Sequence, residues 1–254
     1  KNLNNLNTLN KQLTTGKEIS KPSDNPFKTA RIMQMYSDIS ANKQYNENIK
    51  DTINWLDTTD VALEQIGNSA QRIRELMVSA GNASYGSDEK NALKEEINEK
   101  INEIAQVLNT NYDGKYIFGG TKSLSKPVGV EKDSNGNNIL VFKDDNGNSF
   151  NEEGKAYIKN ADGTITRDAN GNLAVEANPK PEYEKLLNQM NANLSVEVSN
   201  GVNMNYNVGS PSILTLKNGN NVMKLLNDVV NNLDKVDSSD VIKGNLEEMD
   251  LFIS

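Results

Sequence analysis

The 254-residue chain contains no cysteine and no histidine. These absences exclude disulfides, thiolate nucleophiles, most zinc sites and every mechanism in which imidazole moves a proton near neutral pH. Any catalysis would fall to Ser, Lys, Tyr or carboxylates. Aromatic residues are scarce, at 6% with a single Trp, and hydrophobic residues reach only 35%. That is thin for one deep globular core but sufficient for long helices that each bury one stripe, so an elongated, soluble, largely ordered chain is expected. Basic residues are outnumbered, 27 against 35 acidic, and the net charge of -8 repels phosphate backbones. Nucleic acid is therefore not an expected partner. No run approaches the roughly 20 apolar residues of a membrane-spanning helix, and no secretory signal pattern opens the chain. Neither membrane insertion nor a cofactor is expected. The chain opens on Lys1 and closes on Ser254 inside a helical pattern, so both ends are expected to be trimmed.

What is present is organised by period. Leu3, Leu6, Leu9 and Leu13 recur at helical spacing up to Gly16, a helix stop. A polar stretch with Pro22 follows, and Asn25 with Pro26 supplies an N-cap and a first-turn proline for a long helix. From Ile49 its apolar positions run Ile53, Leu56, Leu63, Ile66, Ala70, Ile73, Met77 and Ala80, with one gap near Thr59 and Asp60. Unbroken from Pro26 to Ala80, that helix would be about 80 Å long. Gly81 to Ser87 reads as a turn with Ser87 as the next N-cap. Leu93, Ile97, Ile101, Ile104 and Leu108 then form a second stripe, expected to pack antiparallel on the first. The C-terminal end adds Val222, Leu225, Leu226, Val229, Leu233 and Val236, then Ile242, Leu246, Met249 and Phe252.

Between these ends the sequence turns rich in Gly, Asn and Asp, with short apolar runs such as Ile139 to Phe142 that suit strands. Leu194, Val196 and Val198, then Asn200-Gly201, then Val202, Met204, Tyr206 and Val208 predict a hairpin whose Asn-Gly tolerates the positive φ of a type I' turn. The expected fold is mainly α with a β-rich insertion. An elongated antiparallel helical rod would be formed by both chain ends, residues 1–120 and 211–254, with a smaller β domain at 121–210.

Constellations that could carry chemistry have plainer readings. Asp133-Ser134-Asn135-Gly136-Asn137, Asp144-Asp145-Asn146-Gly147-Asn148 and Asp168-Ala169-Asn170-Gly171-Asn172 resemble calcium loops. Their glycine comes fourth rather than sixth and no glutamate closes the loop, so hairpin turns are favoured over metal sites. Gly16-Lys17 fails as a phosphate loop, since Lys11 stands at the first glycine position and Glu18 where Ser or Thr is required. Glu95, Glu96, Glu99 and Glu103 lie beside Lys94 and Lys100 and read as a solvated helix face. No catalytic residue is assigned, and an enzyme is not expected.

Three segments carry a resemblance. Leu13-Thr14-Thr15-Gly16-Lys17-Glu18-Ile19-Ser20-Lys21-Pro22-Ser23-Asp24-Asn25-Pro26 resembles the segment after the first terminal helix of flagellins and their hook-associated relatives. Gln71-Arg72-Ile73-Arg74-Glu75-Leu76 resembles the arginine-containing stretch of the flagellin long helix, and Tyr116-Ile117-Phe118-Gly119-Gly120-Thr121 the strand that leaves it. Pro-Ser-Asp-Asn-Pro and Tyr-Ile-Phe-Gly-Gly-Thr lean toward the hook-associated branch at the hook-filament junction.

The resemblance implies an extracellular structural subunit of the bacterial flagellum, exported through the flagellar channel. Its implied partners are copies of itself in a ring, another hook-associated protein, flagellin and an export chaperone. A filament flagellin with a short insertion is the rival within the class; a glycan- or calcium-binding module or surface enzyme is the rival outside it. The polar segment from Thr14 to Asn25, with Thr14, Thr15, Lys17, Ser23 and Asp24, is the expected linker between neighbours. Helical spacing sends Ile73 and Met77 to the buried stripe. The same spacing is read as turning Arg72, Glu75 and Leu76 outward; the resemblance implies that this surface packs between neighbouring subunits, with recognition of the free subunit by an animal innate immune receptor as the alternative.

Overall fold

The computed structural model describes residues 2–16, 25–81, 86–233 and 239–254. The chain divides into two compact units, one of residues 1–51 with 197–204 and one of residues 52–196 with 205–254.

In the first unit, helix α1 (Asn2–Thr15) ends where Gly16 adopts a left-handed φ of 65° and its N–H returns to the Gln12 carbonyl. Helix α2 (Pro26–Ala80) starts as the sequence predicts, because the Asn25 side-chain oxygen accepts the Lys28 N–H at 3.0 Å and Pro26 needs no donor partner. It continues without interruption for 55 residues. Strands β6 (Ser195–Ser199) and β7 (Val202–Asn205) form the predicted hairpin. Its turn differs from the expectation: Gly201 takes φ 74°, whereas Asn200 keeps a negative φ, so it is not type I'. Glu197 fixes this hairpin to α2, accepting the Asn48 side-chain N–H on its main-chain oxygen at 2.9 Å.

The second unit is built on one core shared by α2, α3 (Ser87–Leu108), α6 (Val222–Leu233) and α7 (Ser239–Ile253). Ile66, Ala70, Ile73, Met77, Ile97, Ile101, Ile104, Leu108, Leu225, Val229, Ile242 and Met249 are all buried in it, as their spacing predicts. Each fully buried Leu or Ile contributes about 1.5 to 3 kcal/mol. The α3 N-cap is Gly86, with Ser87 already the first helical residue and no side-chain cap, which corrects the expected capping by Ser87.

A three-stranded antiparallel sheet runs in the order β3 (Val128–Lys132), β4 (Asn138–Lys143), β5 (Ser149–Phe150), with Lys132 opposite Asn138 and Phe142 opposite Phe150. Strand β4 is covered on both faces, which explains its uninterrupted Ile-Leu-Val-Phe run. Leu140 and Phe142 join the helical core, while Ile139 and Val141 pack with Ile165, Tyr157 and Leu173. Asn98 of α3 pins this strand through both its side-chain and main-chain oxygens to Asn138.

The outer cover is a closed triangle of three short segments. Ile158 donates to the Ala174 carbonyl, Ala174 to Thr166, and Thr166 back to Ile158. Short two-residue strands β1 (Asn111–Tyr112) and β2 (Lys115–Tyr116) follow α3. The sequence reading missed helix α4 (Pro181–Met190), which has proline in its first turn and buries Tyr183 and Met190, and the single turn α5 (Ser210–Ile213).

Candidate assembly surface

In the first unit, the predicted leucine stripe of α1 exists and lies open: Leu3 and Leu13 are each 79% exposed, with Leu6 and Leu9 close behind. The first half of α2 shows the same character. Phe27 is 81% exposed, and Met33, Met35, Tyr36 and Ile39 are at least half exposed. A soluble monomer rarely leaves so many large apolar side chains together, and such surfaces ordinarily meet another protein. The residues expected to link neighbours divide. Thr14 and Thr15 belong to the last turn of α1, where their hydroxyls donate to the Asn10 and Lys11 carbonyls at 2.7 Å. Lys17, Ser23 and Asp24 lie outside the described residues.

In the second unit, Arg72 and Glu75 stand on the exposed side of α2 as spacing predicts. The Arg72 guanidinium donates to Glu75 at 3.0 Å and to Glu96 of α3 at 2.7 Å, and these carboxylates, Glu96 foremost, push its pKa above the ordinary value. Leu76 does not stand there. It is 3% exposed and part of the core, a correction that follows from its position three residues past Ile73 and one before Met77, inside the buried arc of the helix. Val78 is the exposed aliphatic residue of this turn. Arg74, on the flank, pairs with Asp250 of α7 and holds that carboxyl below the usual range.

The apolar stripe read from Ile53 through Leu56 to Leu63 needs a second correction. These three are exposed, and the buried face is Thr52, Trp55, Thr59, Ala62 and Ile66. The buried face keeps the register of Ile66 and Ile73 back through Ala62, Thr59, Trp55 and Thr52 in steps of three and four, from which Ile53, Leu56 and Leu63 are offset, and on this face the Trp55 ring meets Tyr112 and Tyr206 edge-on at 5.9 and 5.5 Å. Ile53, Leu56 and Leu63 thereby remain available to a partner.

The Tyr116–Thr121 segment is a clamp. The Gly120 φ is 56°, the Thr121 N–H and hydroxyl both donate to the Gln189 carbonyl ending α4, and Ser210 donates to the Phe118 carbonyl. A Cβ on Gly209 would sit 2.1 Å from the Met190 oxygen, and one on Gly120 would sit 2.4 Å from the Gln189 oxygen. Nothing local in the sequence marks the contact that Gly120 makes with the end of α4, nor the parts played by Gly209 and Met190.

The three Asp-led loops are turns whose carboxylates are already occupied. One oxygen of Asp133 accepts the N–H of Asn135 and Asn137; Asp144 accepts from Asn146 and Asn148, and Asp168 from Asn170 and Asn172. The Asn172 N–H foremost holds the Asp168 carboxyl below its ordinary value. The same main-chain pattern recurs at Asn151–Lys155, Asn160–Thr164 and Leu216–Asn220, none of which the sequence marks with a leading aspartate. Among the described residues no three His, Cys, Asp or Glu side chains converge as metal ligands, and no helix is long and apolar enough to cross a membrane. A cleft of about 310 Å³ beside the triangle is lined by Glu152, Tyr157, Asn172, Leu173, Met223 and Lys224, and burial pushes the Glu152 carboxyl up.

A family model described as the bacterial flagellin N-terminal helical region matches residues 1–123. A flagellin of Salmonella paratyphi A is 29% identical over 137 residues, covering 54% of this chain and 27% of that protein. This chain thus spans about a quarter of the length of the curated relatives it matches. Among solved structures, one from Vibrio parahaemolyticus, proposed to be a flagellar hook-associated protein, superposes with a TM-score of 0.63 at 17% identity, covering 92% and 83% of the two chains. The flagellar junction protein FlgL from Legionella pneumophila superposes at 0.51 and 17% identity, over 88% and 93%. At such identities the structures show a shared fold.

Proposed function

We propose, on the match of residues 1–123 to the bacterial flagellin N-terminal helical region, that the chain is an exported structural subunit of the bacterial flagellum standing at the hook-filament junction. It would form a ring with copies of itself, meet another hook-associated protein on the hook side and flagellin on the filament side, and travel there with an export chaperone. Residues 1–120 and 211–254 would serve as the assembling helical part and 121–210 as the outward insertion. The role is mechanical, joining two lattices rather than turning over a substrate.

One observation carries this reading: the apolar surface that α1 and the first half of α2 leave uncovered, from Leu3 to Leu13 and from Phe27 to Ile39. Burial of such helical stripes is worth about 25 cal/mol per Å², so copies brought together after export gain what the isolated chain lacks. The fold shared with the Legionella junction protein supports the junction over the filament shaft. The curated flagellins matched by sequence favour the second reading, a filament subunit with a short insertion. Deleting the gene and imaging the cells by electron microscopy separates them. A junction subunit leaves hooks without filaments and flagellin shed into the medium, whereas complete filaments on the mutant would remove the proposal.

A further inference from the structure

The sequence contains five Asn-Gly pairs, at Asn135, Asn146, Asn170, Asn200 and Asn218, and all five asparagines are solvent-exposed. Every one sits in a tight turn whose glycine has a left-handed φ between 74° and 85°. The dipeptide, the exposure and the glycine conformation are thus held nearly constant within one molecule. What differs is the group that the glycine N–H meets. In four turns it donates to a main-chain carbonyl three residues back: Gly136 to Asp133, Gly147 to Asp144, Gly171 to Asp168 and Gly219 to Leu216. In the fifth, the Gly201 N–H donates to a carboxylate oxygen of Glu197 at 2.9 Å.

That contact has chemical content. The glycine nitrogen after an asparagine is the nucleophile of intramolecular deamidation, and it attacks only as its proton leaves. A carbonyl oxygen cannot take that proton, whereas a carboxylate within hydrogen-bond reach is placed as a general base. We propose that Asn200 is a self-modification site of this protein, with Glu197 as the base that selects it over the other four pairs. The Gly201 nitrogen bonds to Cγ of Asn200 as Glu197 takes its proton. The C–N bond of the side-chain amide breaks, and the amide leaves as ammonia carrying the proton that Glu197 returns. The five-membered succinimide so formed is opened by water at either carbonyl, leaving an aspartyl or isoaspartyl residue at position 200.

The product places a negative charge three residues from Glu197. Glu197 is also the residue by which the hairpin engages α2, its carboxylate taking the Tyr45 hydroxyl at 3.4 Å and its main chain the Asn48 amide. Like charges at that spacing repel, so the modified hairpin is held less firmly to the helix.

The test is site-resolved mass spectrometry of the intact folded chain aged at neutral pH, with isoaspartate detection on the five Asn-Gly peptides. A base already in place contributes about 100-fold or more in well-aligned sites. Asn200 is therefore expected to deamidate at least about tenfold faster than the other four. Glu197→Gln keeps a hydrogen-bond acceptor of the same shape but not the base. In that variant, with its fold checked by circular dichroism, Asn200 should slow to the rate of the others. In a strong denaturant the five rates should converge. Equal rates in the folded chain, or an Asn200 rate that Glu197→Gln leaves unchanged, overturns the assignment.

Discussion

Arg167 and Asp133 form an ion pair at 2.5 Å in which the two side chains are 6% and 0% exposed. The guanidinium spans three elements, since it also donates to the Gly171 carbonyl and to the Asn227 side chain of α6 at 2.8 Å. It ties the outer triangle and the β3–β4 turn to the helical core. A buried pair adds little over apolar residues of the same volume, but breaking one half strands a charge. Asp133→Asn keeps an acceptor for the turn and leaves Arg167 unpaired, so denaturant unfolding should show a loss of about 3 to 5 kcal/mol. Adding Arg167→Leu to it should recover part of that loss.

Leu76 and Arg72, four residues apart on α2, should respond oppositely to truncation. Leu76→Ala opens a core cavity and should lower stability by about 2 to 5 kcal/mol. Arg72→Ala removes solvent-screened, exposed ion pairs to Glu75 and Glu96, and should leave the melting temperature nearly unchanged while reducing filament attachment in motility assays. An unfolded Arg72→Ala chain would make the arginine a scaffold residue.

Glu131 sets an acid limit. Burial pushes its carboxyl up, but hydrogen bonds from Lys143, Lys159 and Ser149 outweigh burial and hold it below its ordinary 4.5. A carboxyl depressed on folding binds its proton more readily in the unfolded chain. Its stabilisation is therefore complete above pH 4.5 and is lost as pH falls through the lower folded value. Thermal melts from neutral pH down to about pH 3 should decline in that window, and Glu131→Gln should flatten the decline.

Calcium should do nothing. Because Asp133, Asp144 and Asp168 spend an oxygen on two main-chain N–H groups each, neither calcium nor a chelator should move the melting temperature. A true site at about 100 times its dissociation constant would add about 2.7 kcal/mol and shift it by several degrees.

Much of this was legible because the signals were local. Asn25-Pro26 begins α2, the leucines to Gly16 bound α1, and Ile97, Ile101, Ile104 and Leu108 are buried as their period requires. The Asp-led turns were readable from one glycine position. What failed was long-range. Tyr112 and Tyr206, the tyrosines that cover Trp55, are distant in sequence, although the register of Ile66, Ala62, Thr59, Trp55 and Thr52 already leaves Ile53 and Leu56 outside. Leu76 misled because it sits between charged and core positions, where a few tens of degrees decide burial. Helix α4 was within reach: Pro181, then Tyr183, Leu186, Leu187 and Met190 at spacings of three and four, but the surrounding Asn- and Gly-rich stretch suggested strands. Gly209 could be understood only once the Met190 carbonyl was seen to lie against it.

Position within the flagellum is measured by immunogold labelling of purified flagella against this chain. A junction subunit gives gold confined to a single narrow band where hook meets filament, and none along the shaft. Gold distributed along the filament would instead make the chain a filament flagellin with a short insertion.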